Sequence, residues 1–513
     1  MSNSRRIGII DIGSNSIRLA IYELEAGGAY RVISEFKESA RLSQKIGPDG
    51  ALPPEEIQEL ARILSHFKRI CRSHEVSECR IAATAAVRNA TNTEQIQEIL
   101  AKETGWTIEI LSGQDEARLG FLGMILTMDI TDGYLIDIGG GSTEISLFRD
   151  RKLVNSVSFP FGAVNTTRKF APGGDFGEAQ LKAIREMTSE ALSREPWIAS
   201  TPGLPLVGLG GGVRTLCKIN QRRRRYSLQQ THNYHLPASD IDELVSILPG
   251  LPAEKRKKVD GLSKDRFDII VPGMIILQTV FQAVRGSHYI ISGAGLRDGL
   301  FFETFCPAAS ADQPIAEMSS DNLLALHSTA PEAHIQRVCR TVLKLYDALA
   351  EGGTHRYSPR LRMCLHIAAK LYRIGASLQY YQYPKHSFHI IAQTRIDGLS
   401  HREILLCAAI ASYKTKSRTL QAVQPYKDIL KESDVDLIAK LGTLLQLAVA
   451  LDVSETQAID VTAAFSENTS LHLRLLTLHD PSAEYREVEA LQKDFKKVWG
   501  LQLKIHEPSF STN

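Results

Sequence analysis

Ile7-Gly-Ile-Ile-Asp-Ile-Gly-Ser-Asn-Ser-Ile-Arg-Leu-Ala-Ile-Tyr22 aligns without a gap on Gly133-Tyr-Leu-Ile-Asp-Ile-Gly-Gly-Gly-Ser-Thr-Glu-Ile-Ser-Leu-Phe148. Each copy is an apolar strand ending in Asp (Asp11, Asp137), a tight glycine-bearing turn, and a second strand with a period of two. Asp and Gly break the apolar run where the chain has to reverse. Matching hairpins predict a duplicated lobe. Each copy carries an acidic, hydroxyl-rich turn with accessible amides, which reads as two jaws around a phosphate chain.

Outward from the first hairpin, residues 54–73 carry a helical period behind Pro53-Pro54. The strand Cys79–Ala83, the helix Thr93–Thr104 and the strand Thr107–Leu111 follow, an alternation that predicts a wound α/β lobe. A second lobe restarts near residue 126 with its hairpin, helices over 178–194, 239–248 and 272–285, and strands over 204–209 and 288–292. Residues 306–320, with Pro307 and Pro314, read as a linker. Helical periods then run through Ile335–Ala350, Arg360–Arg373, Arg402–Tyr413 and Asp434–Leu451. The tail alternates over Leu471–Leu478 and Leu501–His506 around a helix at 482–499, as a small α+β unit. The expected domains are residues 1–125, 126–310, 320–450 and 451–513.

An apolar content of 43% and a net charge of +2 over 513 residues fit a globular protein whose anion-binding surface must be local. The seven cysteines form no CxxC pair and read as buried side chains in a reducing cytoplasm. The chain enters its first strand at once, which leaves no room for a signal peptide, and no apolar run reaches the roughly 18 residues of a membrane span. Cytoplasmic location without nucleic-acid or membrane partners is the expectation.

Phosphate in a cleft is held by backbone N–H groups, small hydroxyls and cations. Gly139, Gly140 and Gly141 let the backbone approach an anion closely, and Ser142, Thr143, Ser14, Asn15 and Ser16 add neutral donors. Asp11 and Asp137 end equivalent strands and face one cleft; beside a polyanion they call for a hard cation, for which Mg2+ is the natural choice. Ser112-Gly-Gln-Asp-Glu116 opens a helix between the hairpins. Its acids suit the helix dipole, and in the cleft a carboxylate there can deprotonate water. Thr84 and Arg88 sit at another strand-to-helix junction, suited to phosphate or to an ordinary surface. Gly208–Gly212 is a third glycine-rich turn that serves a phosphate or close helix packing equally well.

Asp11–Ser16, Thr84–Arg88, Ser112–Arg118, Asp137–Glu144, Phe161–Ala163, Arg266–Asp268 and Ser292–Gly299 occur in order and resemble the motif set of the exopolyphosphatase/guanosine pentaphosphate phosphohydrolase (Ppx/GppA) family. The resemblance implies an α/β fold of duplicated actin-like, sugar-kinase-like (RNase H-like) lobes, an all-α HD-like domain and a small α+β C-terminal domain. It implies Glu116 as the base that activates water against the terminal phosphorus of linear polyphosphate, with orthophosphate as product. It also implies Asp137, Glu144 and Asp11 as organisers of Mg2+. Ser14, Asn15, Thr84, Arg88, Gly139, Gly140, Gly141 and Ser142 would hold the terminal phosphates. In the HD-like region Tyr372-Arg373 stands where a metal-binding His-Asp doublet would fall, so no second metallohydrolase centre is expected there, and His366, His386, His389 and His401 read as structural or substrate-lining. A homodimer is implied by the long family members. Basic runs at Arg222–Arg225 and Lys255–Lys258 are candidate tracks for a long polyanion or ordinary solvated faces.

Three other readings compete with exopolyphosphatase. The family resemblance admits pppGpp 5′-phosphohydrolase activity. The superfamily admits an ATP-dependent phosphotransferase, although such kinases usually place an Asp base in the cleft. A non-enzymatic sensor of polyphosphate or alarmone would have no need of Glu116.

Overall fold

Strand β1 (Arg5–Ile12) pairs antiparallel with β2 (Ile17–Leu24), and the turn closes where Gly13 N–H donates to Ser16 C=O at 3.2 Å. β3 (Tyr30–Glu38) continues the meander, while β4 (Glu78–Ala83) and β5 (Glu109–Ile110) add in parallel, in the order β3-β2-β1-β4-β5. The second copy repeats this. β6 (Gly133–Ile138), β7 (Thr143–Arg149) and β8 (Lys152–Phe159) form the meander, and Gly139 N–H donates to Ser142 C=O at 2.9 Å. β9 (Leu206–Leu209) and β11 (Tyr289–Ile291) add in parallel, with β10 (Tyr234–Leu236) as an antiparallel edge, giving β10-β11-β9-β6-β7-β8. Without β10 the two sheets have one topology. The duplication visible in the hairpins extends to the whole lobe.

This is a computed structural model, and it describes residues 4–306, 314–327 and 330–506. The chain divides into two units, Met1–Ile315 and Ala316–Asn513.

The two faces of each central strand enter different cores, which is why these strands are almost uniformly apolar. Ile10 and Ile12 pack into the first lobe with Ile57, Leu60, Leu64 and Phe67 from the helix Pro54–Ser73. Tyr134, Ile136 and Ile138 pack into the second lobe with Met274, Ile275 and Leu277. The opposite faces, Ile7 and Ile9 from β1 and Leu135 from β6, meet in a third cluster with Leu119, Met124, Leu300 and Phe301. Period two therefore turns Asp11 (after Ile7 and Ile9) and Asp137 (after Leu135) toward the seam between the lobes.

Across that seam the helices Gly113–Ile125 and Leu296–Phe305 touch through glycine. A Cβ on Gly123 would lie 2.2 Å from the Gly295 carbonyl oxygen, and one on Gly299 would lie 2.0 Å from that of Leu119. Only hydrogen fits at either position.

The second unit is helical from Ala316 to Ala450 and ends in a three-stranded sheet, β12 (Ile459–Glu467), β13 (Ser470–Thr477) and β14 (Gln502–His506), with the helix Ser482–Trp499 between the last two strands. The stretch read as a linker is shorter than expected. Residues 307–313 lie outside the described residues, and the helix Ile315–Leu326 already occupies its second half.

Within this unit Tyr372 is tied into the interior by a hydrogen-bonded chain. His334 bonds the Tyr372 hydroxyl through Nε2 at 2.6 Å and Asp452 Oδ2 through Nδ1 at 2.8 Å, with His334 and Asp452 fully buried. Asp452 Oδ1 accepts from Gln457 N–H at 2.8 Å, and Arg373 pairs with Glu455. His334→Leu strands a buried carboxylate and hydroxyl, and is expected to destabilise this unit by about 3 kcal/mol. Tyr372→Phe removes one bond and should cost about 1 kcal/mol. Urea denaturation of both variants checks the ranking; equal costs would mean that the three side chains do not act as a chain.

Candidate active site

The two hairpin turns face each other. A Cβ on Gly140 would lie 2.9 Å from Ser14 Cβ and 3.3 Å from Asn15 N, so glycine is what lets the second turn close on the first. Ser14 C=O accepts from Ser43 N–H at 3.2 Å and Asn15 C=O from Arg41 N–H at 3.0 Å, which anchors the first turn from behind. Around the turns lies a cavity of about 140 Å3.

Its walls hold most of the residues the sequence singled out: Asp11, Ser14, Asn15, Thr84, Glu116, Asp137, Gly139, Gly140 and Ser142. Three sit just outside it. Gly141 packs against Ser14 and Ser43, where an added Cβ would lie 2.9 Å and 3.1 Å from their Oγ atoms. Glu144, opposite Asp137 in the β6–β7 register, lies fully buried behind it and accepts from Ser158 Oγ at 2.7 Å. Arg88 does not reach the cavity wall; its Nη1 donates to Glu116 Oε2 at 2.9 Å and to Leu111 C=O at 2.8 Å.

What single residues did not reveal is the cationic wall. Arg18, Arg214, Arg266 and Arg297 all line the cavity. Arg18 stands opposite Asp11 in the β1–β2 register, the one local signal available in advance. Arg214 follows the third glycine turn, whose Gly210 has φ +81° and would place a Cβ 2.5 Å from Asp137 Oδ1. Arg214 Nη1 donates to Gly293 C=O at 2.8 Å and its Nε to Gly210 C=O at 3.1 Å. Arg266 lies flat on Gly211, where a Cβ would be 2.2 Å from its Nη2. Arg18 and Arg297 share Glu35, each donating to Oε1 at 2.9 Å. With Lys37–Asp265 and Arg41–Asp268 (2.6 Å), Glu35 and Arg297 also bridge the two lobes.

The electrostatics of the cavity are dominated by desolvation. Burial pushes the Glu116 carboxyl up to about 7; Arg88 acts against this, and Asp137 and Asp11 add to it. Burial likewise raises Asp137 to about 6, opposed by Arg214 and reinforced by Asp11. Burial raises Asp11 despite Arg297 and Arg18, and holds Glu144 well above the carboxylate range with Glu116 and Asp137 adding to it. On the other side, burial with Arg297 and Arg18 nearby brings Arg214 down to about 10. Both amide atoms of Asn15, on the cavity wall, are buried without a partner. An orphaned amide, clustered arginines and carboxylates raised by burial share this one cavity.

No three described His, Cys, Asp or Glu residues form a metal cage. Mg2+ does not require one: it is bound by one or two carboxylates, substrate phosphates and water. Two half-buried carboxylates, Asp11 and Asp137, on a cavity wall with arginines beside them meet that description, so the donor set fits the ion.

The basic runs are largely spoken for. Arg224 pairs with Asp240 at 2.5 Å and 2.7 Å, Arg223 with Glu243, and Lys257 with Glu254. Arg256 is fully buried, donating to the carbonyls of Leu248, Leu251, Gly174 and Phe267. It braces the second lobe rather than forming a track.

Comparison with known proteins places the whole arrangement. Residues 20–306 match the Ppx/GppA phosphatase family and residues 318–493 match Ppx/GppA phosphatase, domain III. The chain is similar to a guanosine-5′-triphosphate,3′-diphosphate pyrophosphatase of Aeromonas salmonicida, 25% identical over 89% of each chain. It is also similar to exopolyphosphatase 1 of Mycobacterium tuberculosis, 28% identical over 58% of this chain and 87% of that one. Among solved structures, the Aquifex aeolicus Ppx/GppA family member aligns at 26% identity and TM-score 0.52, covering 60% of this chain and 99% of that chain. The fold is the duplicated actin-like α/β arrangement with a helical C-terminal region.

Proposed function

The chain belongs to the Ppx/GppA phosphatase family, and from that premise we propose that it is an exopolyphosphatase, releasing orthophosphate from the end of linear polyphosphate. The observation that carries this is Glu116. It is a carboxyl raised to about 7 on the wall of a cavity that also presents four arginines and an unpaired buried Asn15. A base poised near neutral pH beside a preformed anion site suits hydrolysis. The cavity's lining contains no aromatic residue, so it offers phosphate contacts and no platform for a nucleobase. The similarity to the Aeromonas pyrophosphatase across 89% of the chain favours pppGpp 5′-phosphohydrolase as the second reading.

In the proposed reaction Arg18, Arg214, Arg266 and Arg297, with the hairpin amides of Gly139, Gly140 and Ser142 and the side chains of Asn15, Ser14 and Thr84, hold the terminal phosphoryl group. Glu116 takes a proton from water as the water oxygen bonds to phosphorus. The bridging P–O bond breaks, and its electron pair goes to the shortened chain. Arginines fixed by Gly210, Gly293 and Glu35 meet the developing charge without reorganising. Asp137 and Asp11 would hold Mg2+, with Glu144 behind Asp137; when bound, the ion neutralises phosphate charge.

Phosphate release from long-chain polyphosphate and from pppGpp, with Mg2+, tests this. Faster turnover of polyphosphate is expected; faster turnover of pppGpp would install the second reading, and inertness toward both would end both. Arg88 is assigned to positioning and tuning Glu116. Since Arg88 opposes the rise of Glu116, Arg88→Met should move the acid limb of the kcat/KM profile to higher pH by about one unit. An unmoved limb with reduced kcat would instead place Arg88 on the phosphate.

A further inference from the structure

The helical unit carries a second cavity, of about 820 Å3, that no step of the proposed reaction uses. It lies between the helices Tyr383–Gln393 and Lys416–Val423 and the turn that follows His401–Ala411. Its size falls in the range of roughly 300–1,000 Å3 typical of small-molecule sites.

Its chemistry is divided. Lys385, Lys414 and Arg418 line it, each exposed, and none makes an ion pair with a described residue. Several other cations of this unit are matched: Arg360 with Glu403, Arg402 with Asp434, and Lys416, two residues from Lys414, with Asp436. No acidic residue lines the cavity. On a chain of net charge +2 this is a local excess of positive charge with no acid among its lining residues. The remaining wall is mixed: Gln382, Ser412, Thr419 and Gln421 are polar, and Phe388, Ala422 and Pro425 form its apolar part, with His389 at right angles to Phe388 (85°). Arg and Lys bind phosphate oxygens, whereas an apolar wall with a ring pair takes a flat heterocycle.

We infer that this cavity is a binding site for a nucleoside phosphate, its phosphates on Lys385, Lys414 and Arg418 and its base against the Phe388–Pro425 wall. A bare phosphate chain would satisfy the cations and leave that wall unused. The assignment is independent of the reaction proposed for the cleft.

Photolabelling of the full-length protein with 2-azido-ADP, followed by peptide mapping, tests it. Saturable label within residues 383–425 is expected, lowered at least tenfold in Lys414→Ala/Arg418→Ala. Both side chains are exposed and outside the cleft, so fold and basal phosphate release should be retained. ADP should compete at a concentration at least tenfold below that needed for inorganic tripolyphosphate. Label confined to cleft peptides, or label in 383–425 that is unchanged in the double variant, overturns the site. Equal competition by tripolyphosphate overturns the nucleoside and leaves a phosphate-chain site.

Discussion

Glu116→Gln should lower kcat for phosphate release by about 10³-fold and, in the same preparation without metal, make the protein more stable at pH 8. The first effect follows from its proposed role: a positioned general base contributes about 10²–10⁴-fold, and Gln accepts no proton. The second follows from the same burial. The folded carboxyl titrates near 7 against 4.5 in the unfolded chain, so between those values the folded state binds the extra proton. Stability therefore falls as pH rises through that window, and above it the full cost of about 3 kcal/mol is present. Gln removes that cost at pH 8 and changes nothing below pH 4.5. At about 2 °C per kcal/mol, the melting temperature at pH 8 should rise by about 5 °C, with no difference at pH 4. A variant keeping a tenth or more of wild-type kcat would remove Glu116 from the role of base. A variant less stable at pH 8 would contradict the assigned burial.

Gly299→Val should abolish activity by a different route. Its Cβ would sit 2.0 Å from the Leu119 carbonyl oxygen, and backbone cannot yield as a side-chain tip can. The helices Gly113–Ile125 and Leu296–Phe305 must separate, one carrying Glu116 and the other presenting Arg297 to the cavity. Overpacking of this kind costs about 3 kcal/mol, and a base displaced by about 1 Å loses about 10²-fold in rate. Gly212→Ala is the control. It lies in the helix Gly210–Arg223, nothing stands within 4 Å of its Cβ, and alanine there should raise stability by up to about 1 kcal/mol. Denaturation and phosphate release on the pair separate a close helix contact from a general intolerance of side chains near the cleft. Equal stability of Gly299→Val and wild type would show that the helices have room to part.

Much of this was legible beforehand because hairpin chemistry is local. Asp, Gly and a period of two within sixteen residues specify strand, turn and strand. Their recurrence at Asp11 and Asp137 declares a duplicated lobe with matching acids at the seam. Thr84, Glu116 and the Gly139–Ser142 turn reached the cavity for a related reason: Thr84 follows β4, Glu116 lies in the first turns of the helix after β5 and the glycine turn follows β6, strands that the hairpins order into the two sheets flanking the seam. The first half of the helix Ile315–Leu326, by contrast, was hidden under the proline-bearing stretch 306–320 that reads as linker.

By itself, then, the sequence determined two lobes, a phosphate-suited seam and the acids that line it, because turn geometry and strand periodicity are written in neighbouring residues. The tertiary structure alone decided which cations serve those acids. Arg18, Arg214, Arg266 and Arg297 come from four separate places in the chain, and although Arg266 and Arg297 lie in recognisable motifs, only the packed lobes bring all four to the wall of one cavity. It also decided that Arg88 serves Glu116, that Glu144 stands behind Asp137, and that Arg256 is a brace. A side chain's charge is local information, whereas its desolvation and its partners are properties of the packed fold, and those set its chemistry.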